Sequence, residues 1–194
     1  MADLLAWMDL EMTGLDVERD CIVEIAALVT TVDLEPLDDG VDIVVHQPDD
    51  VLAGMSEFVT KMHERSGLLP EIRASTVDLT TAGDAVLAYL RQHLPEPGES
   101  PLCGNSIGMD RRFLARYLPD IETHLHYRSI DVSSIKELCR RWYRADFKVR
   151  PGKKEGHRAL ADVLESIAEL KHYRETIFRP PADVSAVEQV AQGS

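Results

Sequence analysis

Two carboxylates, Asp9 and Glu11, stand in WMDLEMTGLD, a segment otherwise rich in large apolar residues that opens like the central strand of a fold. In an extended chain, residues i and i+2 point to one face. Trp7, Asp9 and Glu11 therefore share one side, and Met8, Leu10 and Met12 the other. Two unit charges about 4 Å apart interact by about 4 kcal/mol at the effective dielectric near a protein surface, so the pair needs compensation, most simply from a cation. A strand edge whose polar face meets water would also explain a lone DxE, although the flanking LLAWM implies burial.

Three further residues could complete a site. Asp110 stands just inside a predicted helix start after GNSIG, whose last glycine, Gly108, leaves room for a ligand near the backbone. The same position suits an acid stabilised by the helix dipole. Asp162 lies in a helical segment among Ala159, Leu160, Ala161, Val163 and Leu164, where a buried pair with an arginine is the competing explanation. His157 and Asp162 are about 140° apart at helical spacing and cannot share one helical face. If both reach one site, His157 sits at the helix entrance or in the loop with Gly152 and Gly156. A histidine there suits a general base, with an unperturbed pKa of about 6.5, though a loop histidine is commonly just solvated.

Together Asp9, Glu11, Asp110 and Asp162 would present hard oxygen ligands, the chemistry of magnesium or manganese rather than zinc or copper. Two divalent cations would match four carboxylates. In two-metal sites one ion sharpens a water nucleophile and the other steadies the departing oxygen of a phosphodiester. The set points to phosphodiester hydrolysis.

The elements that must position these residues follow from patterning. Candidate strands run over Leu4 to Thr13, Cys21 to Thr31 and Val41 to His46, with links short enough for antiparallel neighbours. Helical patterns cover Asp50 to His63, Leu68 to Ser75 and Thr80 to His93, the last with Thr81 and Asp84 as a capping pair. PLCGNSI then reads as a strand, GMDRRFLARYL as a helix and YRSIDV as a strand. SSIKELCRRWYRA follows as a helix with Ser134 and Glu137 at capping-box spacing. The basic loop FKVRPGKKEGH leads into a helix from about Arg158 to Ile177. The expected architecture is α/β, a mixed sheet of three antiparallel strands and two parallel additions, covered by helices.

The 194 residues fit one domain, read as residues 1–178, with a mobile tail over 179–194. No apolar run nears the roughly 20 residues that span a bilayer, and the N-terminus does not read as a secretory signal, so a cytoplasmic protein is expected. Cys21, Cys103 and Cys139 show no CxxC spacing and read as free thiols. The net charge of -13 argues against gripping long nucleic acid, which needs many cationic phosphate contacts. The distribution is uneven: residues 1–100 hold 21 acidic and 5 basic side chains, whereas residues 128–158 hold 10 basic and 4 acidic. That basic stretch is either a solvated face or a local phosphate pocket.

The three motifs, DLE, Asp110 after GNSIG, and HRALAD, resemble those of the exonucleases named for four acids and a histidine. More narrowly, WMDLEMTGLD, PLCGNSIGMDRRFL, YRSIDVSSIKEL and HRALADV resemble the oligoribonuclease family over roughly residues 4–178. The resemblance implies a ribonuclease H-like fold, a homodimer, and 3′-to-5′ hydrolysis of very short RNA oligonucleotides, especially dinucleotides, to 5′-mononucleotides. By matching position it implies that Asp9, Glu11, Asp110 and Asp162 hold two divalent cations, Mg2+ or Mn2+, with His157 as general base. It implies Leu15 as a wedge between bases and His63 as a residue packing near a base. Ser106, Arg128 and Ser133 become a cap on a 5′ phosphate, with Tyr127 reaching across from the partner subunit. Rival readings are a proofreading exonuclease acting on DNA, a non-hydrolytic binder of nucleotides or signalling dinucleotides, and a structural domain whose acids only form salt bridges.

Overall fold

The apolar strands pair as their short links require. β1 (Leu4–Met12) lies antiparallel to β2 (Ile22–Thr31), which pairs antiparallel with β3 (Val41–Val44). β4 (Pro101–Gly104) adds parallel to β1, and β5 (His126–Asp131) adds parallel to β4, giving the order β3-β2-β1-β4-β5. This computed structural model describes residues 4–152 and 156–180. The helices are α1 (Asp49–Leu52), α2 (Glu57–Arg65), α3 (Leu68–Ala74), α4 (Leu79–His93), α5 (Gly108–Tyr117), α6 (Pro119–His124), α7 (Val132–Trp142), α8 (Arg144–Lys148) and α9 (Ala159–Thr176). Among the described residues no helix is long and apolar enough to cross a membrane.

β1 is the hinge between two cores because its side chains alternate. Met8 and Leu10 enter one core with Ile25, Ala27 and Val29 of β2 and with Val86 and Leu90 of α4, Phe113 of α5 and Ile121 of α6. Trp7 turns to the other face, among Ala26, Leu28, Val132 and Cys139, with Val163, Ile167 and Tyr173 of α9. Fully burying one such aliphatic or aromatic side chain is worth about 1.5–3 kcal/mol, so the two layers fix the sheet against its helices. Asp9 and Glu11 follow Trp7 on the α9 face, where the apolar layer gives way to the site.

Several local expectations change. The helix expected from Asp50 to His63 is two helices, because the chain turns at Ala53 and Gly54 and Ser56 restarts it by accepting from the Val59 N–H. Helix α4 is capped by Asp78, which accepts from the Thr81 N–H at 2.7 Å, rather than by Thr81 with Asp84. Helix α7 is capped by Asp131 rather than Ser134, and Glu137 pairs with Arg140 and Arg141 instead of closing a box. In both places a carboxylate one turn upstream competes successfully for the free N–H groups. Helices α6 and α8 were not expected. Of the expected tail over 179–194, residues 181–194 lie outside the described residues.

β4 can close on β1 because Gly104 has no side chain. A Cβ there would stand 2.5 Å from Ile107 Cγ2 and 2.8 Å from the Met8 carbonyl oxygen, whereas one at Gly108 would meet nothing. The glycine that the packing requires is therefore Gly104, while Gly108, read from the sequence as leaving room near the backbone, borders open space. Gly104→Ala is expected to lose about 1–3 kcal/mol by overpacking, while Gly108→Ala stays within about 0.5 kcal/mol, as read by denaturant unfolding. Equal midpoints for both variants would contradict this packing argument.

Candidate active site

The parallel half of the sheet gathers chemistry at its C-terminal edge. Asp9 and Glu11 lie toward the end of β1, Ser106 and Asp110 follow β4, and Ser133 follows β5. Crevices outside the carboxyl ends of parallel strands are where open α/β sheets bind ligands. The N-terminus of α9 meets this edge from the Trp7 face.

Glu11, His157 and Asp162 converge there, each offering a ligand atom within 4.8 Å of the others. They come from a strand, a loop and the first turn of a helix. His157 lies outside α9 in a left-handed conformation (φ 40°), so it escapes the helical spacing that would have separated it from Asp162. Asp110 is 7% exposed, and its Oδ1 accepts the Leu10 N–H at 3.0 Å. The acid that could have been a solvated helix-dipole residue is thus turned inward onto β1. Asp9 is half-buried on the same face of β1 as Glu11.

The electrostatics are those of carboxylates crowded away from water. Burial, then the charges of Asp162, Glu24 and Asp110, push Glu11 up to about 8, with Arg158 opposing them. Burial also pushes Asp110 up to about 6 despite the hydrogen bond from the Leu10 N–H. Arg158 offsets part of that crowding, and oxygen donors from aspartate and glutamate suit a hard divalent ion. The residues present fit that role.

Of the other expected site residues, some are tied to β1 or to one another, whereas Tyr127 and Arg128 stand level with Pro101 and Leu102 in the sheet register, at the opposite end of β1 from Glu11. Leu15 is 66% exposed and lines a cavity of about 680 Å³ with Arg19, Cys21 and Val59. Its loop is braced by Asp20, which accepts from Thr13 Oγ1 at 3.1 Å and from the Asp16 N–H at 2.8 Å. His63 is fully buried, with Nε2 2.9 Å from the Met12 carbonyl oxygen, so its ring supports the end of β1. Asp131 draws Ser106 and Ser133 together by accepting from both backbone N–H groups at 2.9 Å and from Ser133 Oγ at 2.7 Å. Arg128 is exposed on β5 with its guanidinium 5.3 Å from the Tyr127 ring, and Tyr127 is 74% exposed.

Two contributors escaped the sequence reading. Phe58 is 76% exposed and lines a cavity of about 170 Å³ together with Met62, Arg65 and His157. In an amphipathic segment a phenylalanine reads as core, so no sequence signal marked it. Glu24 is fully buried and sits opposite Glu11 in the β1–β2 register. Its mark in the sequence is an acid inside the apolar run IVEIAALV.

A family model described as exonuclease matches residues 6–170. An oligoribonuclease of Rhodococcus jostii (strain RHA1) is 56% identical over 192 residues, covering 96% of each chain. That of Mycobacterium avium (strain 104) is 55% identical over 193 residues, covering 98% of this chain and 90% of its own. This chain belongs to the oligoribonuclease family of exonucleases. Membership makes it a metal-dependent hydrolase of phosphodiester bonds. Among solved structures, an exonuclease I aligns with a TM-score of 0.66 at 16% identity, over 89% of this chain and 41% of that one. The zinc-bound E. coli exonuclease I complex with single-stranded DNA aligns with a TM-score of 0.68 at 14% identity, over 91% and 41%. The chain spans under half the length of these structures, and the likeness establishes the ribonuclease H-like fold alone.

The raised pKa of Glu11 has a measurable sign. A carboxyl whose folded value of about 8 stands above its unfolded value of 4.5 takes up a proton on folding, so its contribution is fully present below the unfolded value and lost as pH rises through the folded one. Without metal, the melting temperature of the protein is expected to fall as pH rises from about 5 to about 8.5, and saturating Mg2+ or Mn2+ is expected to flatten that slope. Calorimetry of wild type and Glu11→Gln in chelator, then with metal, checks this. A wild-type slope identical to that of Glu11→Gln would contradict it.

Proposed function

We propose that this chain is a 3′-to-5′ exoribonuclease that hydrolyses very short RNA oligonucleotides, above all 5′-phosphorylated dinucleotides, to 5′-mononucleotides. The observation carrying this reading is the convergence of Glu11, Asp162 and His157 beside buried Asp110, in a chain 56% identical to an oligoribonuclease. Asp9, Glu11, Asp110 and Asp162 are the residues proposed to hold two divalent cations, Mg2+ or Mn2+. When bound, such ions supply Lewis-acid charge at the scissile phosphate.

The chain's own residues supply the rest. His157 is exposed on its loop, so an imidazole nitrogen can take the proton of an attacking water as general base. Leu15, on a loop stiffened by Asp20, is proposed to wedge between the two bases. Exposed Phe58 offers a ring face on which a base can stack. His63 acts in this reading by seating the end of β1 near a base rather than by open contact. Ser106, Arg128 and Ser133 form the proposed 5′-phosphate cap, a local cationic and hydrogen-bonding pocket in a chain of net charge -13. A cap that closes on a terminal phosphate rejects longer chains by steric exclusion.

The same reading calls for a homodimer. β5 is the edge strand of the sheet, and Tyr127 on it and Leu138, Trp142 and Tyr143 beyond it are large and exposed. We place the partner copy on this surface, with its Tyr127 reaching the site. The cytoplasm is the setting proposed, in keeping with three unpaired thiols.

Two measurements test the function. Turnover of a 5′-phosphorylated RNA dinucleotide is expected to exceed that of a 20-mer by at least about 100-fold, the ratio an unpaired phosphate cap can enforce. Similar rates on both would sink the short-substrate reading. Asp110→Asn is expected to lower kcat at least about 1,000-fold while keeping an oxygen for the Leu10 N–H, so that folding persists. Full activity of a folded Asp110→Asn enzyme would refute the metal assignment.

A further inference from the structure

The first turn of a helix leaves N–H groups without partners, and a side chain at the helix's own N-cap usually supplies one. Helix α9 lacks this, since Arg158 occupies the N-cap and makes no side-chain cap bond. The acceptor comes from another element. Glu24 of β2, 134 and 135 residues distant from its partners, accepts the Ala159 N–H on Oε2 at 2.9 Å and Arg158 Nε on Oε1 at 2.8 Å.

The far side of Arg158 is held as firmly. Its Nη1 and Nη2 donate to the two carboxylate oxygens of Glu71 in α3 at 3.1 and 2.8 Å, a forked pair. Glu24, fully buried, and Arg158, 27% exposed in its side chain, thus join the sheet to α3 through the residue that directly follows His157. The first turn of α9 is closed by the Asp162 N–H donating to the Arg158 carbonyl at 2.9 Å. His157 on one side and Asp162 on the other are consequently tied to one anchored residue.

The register explains why the anchor bears on chemistry. Glu24 is the cross-strand partner of Glu11, so the carboxylate that clamps α9 stands beside the one that meets Asp162 and His157. An acid with no bond to α9 at that position would only add repulsion to a crowded site. Its retention inside a buried strand is explained if its charge is used up by Arg158 and by the helix terminus.

We propose that Glu24 is a positioning residue, which through Arg158 and the Ala159 N–H fixes the distance of His157 and Asp162 from Glu11. The proposal rests on the reading of those three as the reacting site. Glu24 itself stands behind the site and holds the α9 entrance in place, and Glu71 steadies the outer face of Arg158.

The test uses the metal-loaded enzyme and the p-nitrophenyl ester of thymidine 5′-monophosphate, a chromogenic phosphodiester indifferent to chain length. Glu24→Gln keeps an oxygen for the Ala159 N–H but loses the charge that orders Arg158. It is expected to lower kcat about 10- to 100-fold with KM changed less than about 3-fold, the split of a group acting on reaction geometry. In metal-free protein, amide hydrogen exchange over Ala159–Asp162 is expected to quicken at least about 10-fold while the remaining core keeps its protection. Glu24→Gln with Arg158→Gln is expected to be no worse than the poorer single variant, since both break one linkage. Glu71→Gln, which leaves the inner clamp, is expected to cost about 3-fold or less. Retained kcat and unchanged exchange in Glu24→Gln, alongside an inactive Asp162→Asn, would overturn the proposal alone. Exchange quickened across the whole core in step with a lower unfolding midpoint would also overturn it, showing a purely structural role. An active Asp162→Asn enzyme would overturn the site reading and this proposal with it.

Discussion

Carboxylates forced together out of water set the terms for this molecule. Glu11 is surrounded by Asp162, Glu24 and Asp110, and their mutual repulsion adds to its burial. Such a cluster persists in a folded protein only where each charge has a partner, a proton or a metal. The chain answers each acid differently. Glu24 is taken by Arg158 and the α9 terminus and Asp110 by the Leu10 N–H, while burial and its acidic neighbours push the Glu11 carboxyl up to about 8.

The scaffold concentrates that repulsion because β1 has two unlike faces. Met8 and Leu10 seal one layer and Trp7 the other, and the acids begin where the Trp7 layer stops. Parallel addition of β4 and β5 then brings three strand ends to the same edge. Gly104 lets the β4 backbone approach Met8 closely enough for Asp110 to reach the Leu10 N–H.

Rigid and exposed parts divide the labour. The acidic floor sits on strands and helix starts, whereas Leu15, Phe58, His157 and Tyr127 are exposed. Those exposed groups can meet bases, water or a second copy without disturbing the floor. Asp20 braces the Leu15 loop, and Asp131 ties Ser106 to Ser133.

Sequence by itself determined the strand faces, because side chains alternate with period two whatever the tertiary context. The same-side placement of Trp7, Asp9 and Glu11 was legible for that local reason, and helical spacing of about 100° per residue required His157 to lie outside α9 if it were to share a site with Asp162. Capping was less so: Asp78 and Asp131 displaced the expected caps, since carboxylates compete for the same N–H groups and spacing alone does not rank them. Only the tertiary structure decided that Glu11 meets His157 and Asp162, about 150 residues later, within 4.8 Å, and that Glu24 clamps a helix more than a hundred residues later. Those distances depend on how sheet and helices pack against two cores, a long-range outcome that no local pattern encodes.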